Sequence, residues 1–276
     1  MDVERALVLG GGGVAGIGWE AGILAGAAEA GIDLGRADVV IGTSAGSVVG
    51  AYVAHGLGTS GAVDRMEASP DRAAMAVDMN RVMEAMALTF DASLEPRDAR
   101  TRVGKLALEF TPPDTPDPAG GVRALLPRTD WPARRLLVTA VDTADGAFTV
   151  WDSESGVALS DAIASSCAVP CAFPPVSING HRYMDGGVRS ATNADLAKGA
   201  ATVVIIEPLA NLRPPEPLQR ELAALDGARV LVVGPDAASE KAFGAGVLDP
   251  AVGRPSFAAG LAQGAAAAAE IARVWG

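Results

Sequence analysis

Four consecutive glycines, Gly10–Gly13, follow directly on the apolar run Ala6–Leu9. No other feature restricts the fold as much. The glycines read as a tight turn, and the run before them as a buried strand that ends there. Gly16 to Ala30 then has helical spacing, with Ile17, Ala21, Leu24 and Ala28 on one side, and Gly31 stops it. The same order of elements recurs at once. Asp38–Gly42 is a short strand, Thr43-Ser44-Ala45-Gly46 a turn, and Ser47–His55 a helix apolar nearly all round, hence buried. Strand, turn and helix, twice over, predict an α/β fold with a parallel sheet.

Residues 59–130 break this pattern. Five of the seven methionines, Met66, Met75, Met79, Met83 and Met86, fall within them, and a Pro-rich break follows at Thr111–Pro118. This reads as a helical insertion and a loop. The methionines fit either a gap-filled core or a lid with an acyl-chain surface. Sheet material returns at Arg135–Val141, Ala147–Trp151, Thr202–Glu207 and Arg229–Val233. Between them, Val176–Ile178 and His181–Met184 flank Asn179-Gly180, a hairpin signal because both turn positions need positive φ. The hairpin delivers Asp185, followed by Gly186-Gly187.

Gly42-Thr43-Ser44-Ala45-Gly46 matches G-x-S-x-G in the context that motif requires, after a strand and opening a helix. Ser44 is the candidate nucleophile. Gly42 and Gly46 allow the tight turn, and the helix N-terminus adds positive potential. Gly11, Gly13 and Gly16 also match G-x-G-x-x-G. Two functions compete for that loop. A dinucleotide cradle, as in a nucleotide-dependent oxidoreductase, needs an acidic residue at the end of the second strand, where Gly42-Thr43-Ser44 stands instead. The other is an oxyanion hole built from backbone N–H groups of Gly11, Gly12 and Gly13, which the adjacent serine turn favours.

A serine nucleophile needs a base. Of the two histidines, His55 lies eleven residues past Ser44 on the same predicted helix and points away from it, and His181 sits beside the hairpin turn. Neither suits a Ser…Asp…His triad. Asp185 remains. A carboxylate at a turn, partly shielded from water, can have a raised pKa and take the serine proton directly. The alternative is a turn aspartate bonded to its own backbone.

Composition narrows the function classes. With 49% hydrophobic and 20% charged residues, 276 residues make a sizeable core in one large domain or two small ones. Twenty-two Lys and Arg against 33 Asp and Glu give a net charge of -11, which disfavours nucleic acid and simple docking on anionic lipid. Cys167 and Cys171 make neither a disulfide scaffold nor a zinc site, and their apolar setting predicts reduced, buried thiols. The start Met1-Asp2-Val3-Glu4 lacks a signal-peptide n-region. No apolar stretch reaches about 18 residues. Ser256–Trp275, with Gln263, Glu270 and Arg273, reads as an amphipathic closing helix. A cytoplasmic protein is expected.

Three motifs in one order, a glycine-rich turn, G-x-S-x-G and Asp-Gly-Gly, resemble the patatin-like phospholipase family, as does Ala162–Pro170 followed by Phe173-Pro174-Pro175-Val176. The resemblance covers roughly residues 5–57 and 134–210. It implies a three-layer α/β/α fold with a central mostly parallel sheet and a helical insertion, in a single domain over residues 1–276. It implies hydrolysis of lipid acyl esters by a Ser–Asp dyad, with Ser44 as nucleophile, Asp185 as general base and the amides of Gly11, Gly12 and Gly13 as oxyanion hole. Gly16, Gly42, Gly46, Gly186 and Gly187 would support these motifs. No metal or cofactor is implied. The partner would be a lipid or other acyl ester, with transient peripheral membrane contact and no nucleic acid. Two departures stand out: Ala15 where members often carry Arg or Lys, and Trp19-Glu20 where many have a small residue and a histidine. The competing reading is a lipid-binding regulatory protein with a vestigial site. Acyl transfer is a variant of the hydrolase reading, since an alcohol other than water can intercept an acyl-enzyme.

Overall fold

A computed structural model describes residues 3–68, 77–91, 93–109, 118–244 and 246–276. The strands are β1 (Arg5–Leu9), β2 (Val39–Gly42), β3 (Arg135–Asp142), β4 (Phe148–Trp151), β5 (Val176–Ile178), β6 (His181–Asp185), β7 (Thr202–Ile206) and β8 (Arg229–Val233). The helices are α1 (Gly13–Glu29), α2 (Ala45–Ala54), α3 (Ser60–Ala68), α4 (Met79–Thr89), α5 (Pro96–Glu109), α6 (Pro118–Leu125), α7 (Leu159–Ser166), α8 (Glu216–Ala224), α9 (Ala237–Phe243) and α10 (Gly253–Trp275). All strands join one sheet, in the order β5-β6-β3-β2-β1-β7-β8, with β4 also paired to β3. From β3 to β8 neighbours run parallel, whereas β4 and β6 pair antiparallel to β3, and β5 antiparallel to β6.

Parallel strands covered on both faces read as continuous apolar runs, and β1 shows why. Leu7 and Leu9 point into the core beneath α1, α2 and α7, while Ala6 and Val8 point to the opposite face, against Ala194, Ala197 and Leu225. The result is the expected α/β/α sandwich with a central, mostly parallel sheet. The hairpin turn is as the dipeptide predicts, with φ 51° at Asn179 and 82° at Gly180.

The helix α1 begins inside the glycine run, earlier than its apolar spacing predicts. Its first bond runs from the Gly16 N–H to the Gly12 carbonyl (2.8 Å), and the Ala15 N–H is capped by the Val247 carbonyl (3.0 Å). Alongside it lies α10, parallel and very close. A Cβ at Gly18, Gly22 or Gly26 would strike the carbonyls of Gly253, Phe257 and Leu261 in turn. This explains the abundance of small residues in both helices. Glycine is weak within helices, but here it lets two backbones touch.

Segment 59–130 is not one unit. Ala62, Val63 and Met66 of α3 and Val122 of α6 belong to the main core. The pair α4–α5 instead builds a smaller cluster in which Val82, Ala85 and Val103 meet Val141, Met184 and Val188 at the end of the sheet next to Asp185. Met79 and Met83 are exposed. Met75 and residues 111–117 of the Pro-rich break lie outside the described residues.

Candidate active site

Chain direction changes abruptly where β2 meets α2, and Ser44 sits at that corner with φ 52° and ψ −118°. A serine with positive φ persists only where its surroundings over-determine it. Here they do. The Ser44 N–H donates to Ser166 Oγ (2.8 Å). Its carbonyl accepts from Ser47 Oγ (2.6 Å) and from Cys167 Sγ (3.4 Å). The Gly46 N–H donates to the carbonyls of Gly10 (3.0 Å) and Thr43 (2.9 Å), tying the elbow to the glycine loop. A Cβ on Gly42 would lie 2.6 Å from Ser47 Cα, and one on Gly46 would strike the Leu9 carbonyl. Both motif glycines are therefore required by close packing. Ser44 is 6% exposed.

Sheet register brings Asp185 to the same level. Gly42 pairs with Val138 of β3, and two residues further along β3 Ala140 pairs with Asp185. Ser44 likewise lies two residues past Gly42. The serine leaving β2 and the aspartate ending β6 thus flank β3 at one height. The Asp185 carboxylate is buried, accepts the Gly187 N–H at 2.6 Å and lies near enough to the Ser44 hydroxyl to be influenced by it. Burial pushes its pKa from the usual 3.8 up to about 6, against the opposing effects of the Ser44 hydroxyl, the Gly187 N–H and the Arg213 guanidinium.

Behind the pair lies a buried polar network. Asn193, itself at φ 51°, donates from Nδ2 to Thr43 Oγ1 (3.0 Å) and to the Ser190 carbonyl (2.9 Å). Its Oδ1 accepts from Arg189 (2.7 Å), and Thr43 Oγ1 lies 2.9 Å from Thr139 Oγ1. One asparagine thus links the residue before the nucleophile to the loop after Asp185. Sequence reading singled out neither Asn193 nor Ser166. Asn193 carried only a weak signal, a turn-forming residue in a polar stretch after Asp-Gly-Gly, and Ser166 sat unremarked within Ala162–Pro170.

The glycine loop requires one correction. The Gly11 N–H donates to the Ala191 carbonyl at 2.8 Å and is not free to meet an oxyanion. The Gly12 and Gly13 N–H groups have no acceptor among the described residues, and α1 begins at Gly13. A Cβ at Gly11 would meet Ser44 Cβ at 3.5 Å, an ordinary contact, so packing does not require glycine there. Gly16 is more crowded, with a Cβ there only 3.1 Å from Ala45 Cβ, and a Cβ on Gly187 would crowd Asp185 Oδ1 at 2.9 Å.

Neither histidine approaches Ser44. His181 Nδ1 lies 2.7 Å from Asp142 Oδ2 at the surface, and His55 caps α2. Both cysteines are free thiols; Cys171 is buried, Cys167 is half-buried against Ser44, and burial raises the Cys167 pKa to about 12. Ala15 is fully buried. Trp19 Nε1 donates to Ser239 Oγ (3.0 Å) and Gln263 Oε1 (2.9 Å). Glu20 is fully buried, and desolvation holds its pKa well above the usual range.

The fold is thus an α/β/α sandwich with a serine elbow at the end of one parallel strand and a buried aspartate across the next. The chain belongs to the patatin-like phospholipase family, whose model matches residues 7–198. No curated protein matches its sequence. Among solved structures it is similar to VipD from Legionella pneumophila, at 12% identity and a TM-score of 0.41, covering 95% of this chain and 67% of that one. It is also similar to the type III effector protein ExoU, at 15% identity and a TM-score of 0.33, covering 95% of this chain and 53% of that one. The chain thus spans about two thirds and about half of those proteins. Among the described residues no helix is long and apolar enough to cross a membrane.

Proposed function

We propose that this protein hydrolyses lipid acyl esters with Ser44 as nucleophile, Asp185 as general base and the Gly12 and Gly13 N–H groups as oxyanion donors. The observation that carries the proposal is that Ser44, at its strained elbow, and a buried Asp185, whose pKa is raised to about 6, are brought to one level across β3. A carboxylate with that pKa is ionised at neutral pH and basic enough to accept a hydroxyl proton as the C–O bond forms. Ser44 Oγ attacks the ester carbonyl, and its proton passes to Asp185. The carbonyl oxygen becomes negative beside the two free amides and the start of α1, where fixed dipoles meet it without reorganisation. Collapse expels the alcohol, protonated by Asp185, and leaves an acyl-Ser44. Water then attacks, giving its proton to the same aspartate, and the carboxylic acid departs. Every proton and charge has a residue to receive it, so the proposal calls for no metal or cofactor.

The hydrolase is proposed to work as one domain in the cytoplasm, meeting lipid by transient peripheral contact. The test is turnover of p-nitrophenyl esters of increasing chain length by wild type, Ser44→Ala and Asp185→Asn. Wild type should turn over, and both variants should be inactive yet folded by circular dichroism. Acyl-chain binding by Ser44→Ala without any wild-type turnover would instead establish a lipid-binding protein, with exposed Met79 and Met83 of α4 as its surface.

A further inference from the structure

The base of the proposed dyad is a buried carboxyl, and a carboxylate out of water stays charged only through what surrounds it. The groups that face Asp185 are few. Ser44 approaches from the elbow after β2, the Gly187 N–H from its own loop, and Cys167 from the end of α7, where burial keeps the thiol neutral with a pKa of about 12. Among the described residues one full positive charge acts on it, the guanidinium of Arg213.

Arg213 comes from the loop after β7, a segment outside all three motifs. Its backbone is set by two turns, closed from the Ala210 N–H to the Glu207 carbonyl (3.3 Å) and from the Leu212 N–H to the Leu209 carbonyl (2.9 Å), and by Pro214-Pro215 just beyond. The side chain reaches back over the loop that carries Asp185. Nη1 donates to the Gly187 carbonyl at 3.1 Å. Nη2 and the Asp185 carboxylate flank one bare position: a Cβ placed on Gly187 would meet Asp185 Oδ1 at 2.9 Å and Arg213 Nη2 at 3.9 Å. The second glycine of Asp-Gly-Gly thus leaves open the space that carboxylate and guanidinium share. Helix α4 closes the outer side, with Met86 Sδ 3.8 Å from Nη2 and the Phe90 ring centroid 5.9 Å from the guanidinium carbon.

Half-buried in this way, Arg213 has a lowered pKa, an effect that Asp185 and Glu207 oppose, and a guanidinium keeps its proton at neutral pH all the same. Those two carboxyls compete for it. Glu207 is buried, and its Oε2 has no hydrogen-bond partner among the described residues. Burial raises its pKa, and Glu221 adds to the rise, which weakens its claim on the guanidinium.

We infer that Arg213 is a positioning residue of this site: its fork fixes the Asp185-Gly186-Gly187 loop through the Gly187 carbonyl and supplies the counter-charge to the buried base. An arginine suits this double task and a lysine only half of it, because a planar fork can hold the carbonyl with one nitrogen while the other faces the carboxylate. The role of Asp185 as a base rests on the hydrolase reading, whereas its pairing with Arg213 does not.

The experiment therefore reads Asp185 twice. The first readout is the pH profile of kcat/KM on a neutral short-chain ester. Loss of a neighbouring positive charge favours the protonated carboxyl, so in Arg213→Gln the midpoint should move up from near 6 to about 7 or higher. At pH 6 that alone is a loss of about fivefold. Arg213→Lys should keep the midpoint near that of wild type and lower the plateau, since the charge remains and the fork is lost. An arginine that merely held the fold together would lower the plateau and leave the midpoint in place. The second readout needs no turnover. The difference in unfolding free energy between wild type and Asp185→Asn, followed from pH 4 to 8, locates the same titration in the folded chain. In the Arg213→Gln background that difference should go on changing to a pH higher by about one unit. Glu207→Gln removes the competing carboxyl, and with it the midpoints should stay or fall; this variant and Arg213→Lys decide the matter if Arg213→Gln does not fold. The inference is overturned if either midpoint stays in place in a folded Arg213→Gln, if Arg213→Lys moves it as far as Arg213→Gln, or if Glu207→Gln moves it up. A shifted stability titration with no turnover by wild type would keep the pairing of Arg213 with Asp185 and remove the hydrolase reading.

Discussion

Asp185 and Glu20 are both buried carboxyl groups, yet of these two only Asp185 has a serine hydroxyl close by. Burial raises both. Asp185 is drawn back by Ser44, the Gly187 N–H and Arg213, and so settles near 6, within reach of neutral pH. For a general base the ionised form is the active one. Activity should therefore rise with pH through a midpoint near 6 and level off above it. A profile of kcat/KM on a neutral short-chain ester checks this, and a flat profile from pH 5 to 8 would remove Asp185 from the role. Asn193 gives a second prediction at this scale. Its Nδ2 bonds to Thr43 and the Ser190 carbonyl set the distance between elbow and aspartate loop without touching either reacting atom. Asn193→Ala should lower kcat about 10- to 100-fold with KM nearly unchanged, the signature of misplaced groups. An equal change in both parameters would count against a positioning role.

At the scale of elements, the decisive contact is α1 against α10. The glycines that make the first helix weak as a peptide make it strong as a partner. In Gly22→Ala the new Cβ would lie within 2.7 Å of Leu261 N and closer still to the Phe257 carbonyl. Neither is a flexible side chain, so the helices must part, at a cost of about 1–3 kcal/mol. In α6 the same substitution at Gly121 meets nothing within 4 Å and should stabilise by about 0.5–1 kcal/mol through helix propensity alone. Urea denaturation of the two variants reads the opposite signs. Equal effects would mean that propensity, not packing, governs α1. Nearly all the strands were legible in the sequence, because the central parallel strands are apolar and covered on both faces, and Asn179-Gly180 marks the β5–β6 hairpin. The start of α1 was not. Its first turn is held by the Val247 carbonyl, which comes from the far end of the chain.

For the whole molecule, buried Asp185 links stability to pH. The folded pKa of Asp185 lies above its unfolded value, so the native state binds the proton more tightly. Its contribution is fully present below about pH 4 and lost as pH rises to about 6. Asp185→Asn removes this dependence. The variant should gain on wild type as pH rises from 4 to 6.5, by at most about 3 kcal/mol, and no further above that. Denaturant unfolding at several pH values would show a gain independent of pH if Asp185 were ordinary.

The sequence by itself determined the pieces: two strand–turn–helix units, a serine between glycines at the end of a strand, and an aspartate delivered by an Asn-Gly hairpin. These are local because turn geometry and strand burial act on neighbouring residues. Tertiary structure decided which pieces meet. Register across β3 brought Ser44 and Asp185 to one level, the Ala191 carbonyl took the Gly11 N–H, and Asn193 tied the elbow to the loop after Asp185. Hydrogen bonds and charges act over a few ångströms of space whatever the separation along the chain, and no local pattern records which distant groups will be brought that close.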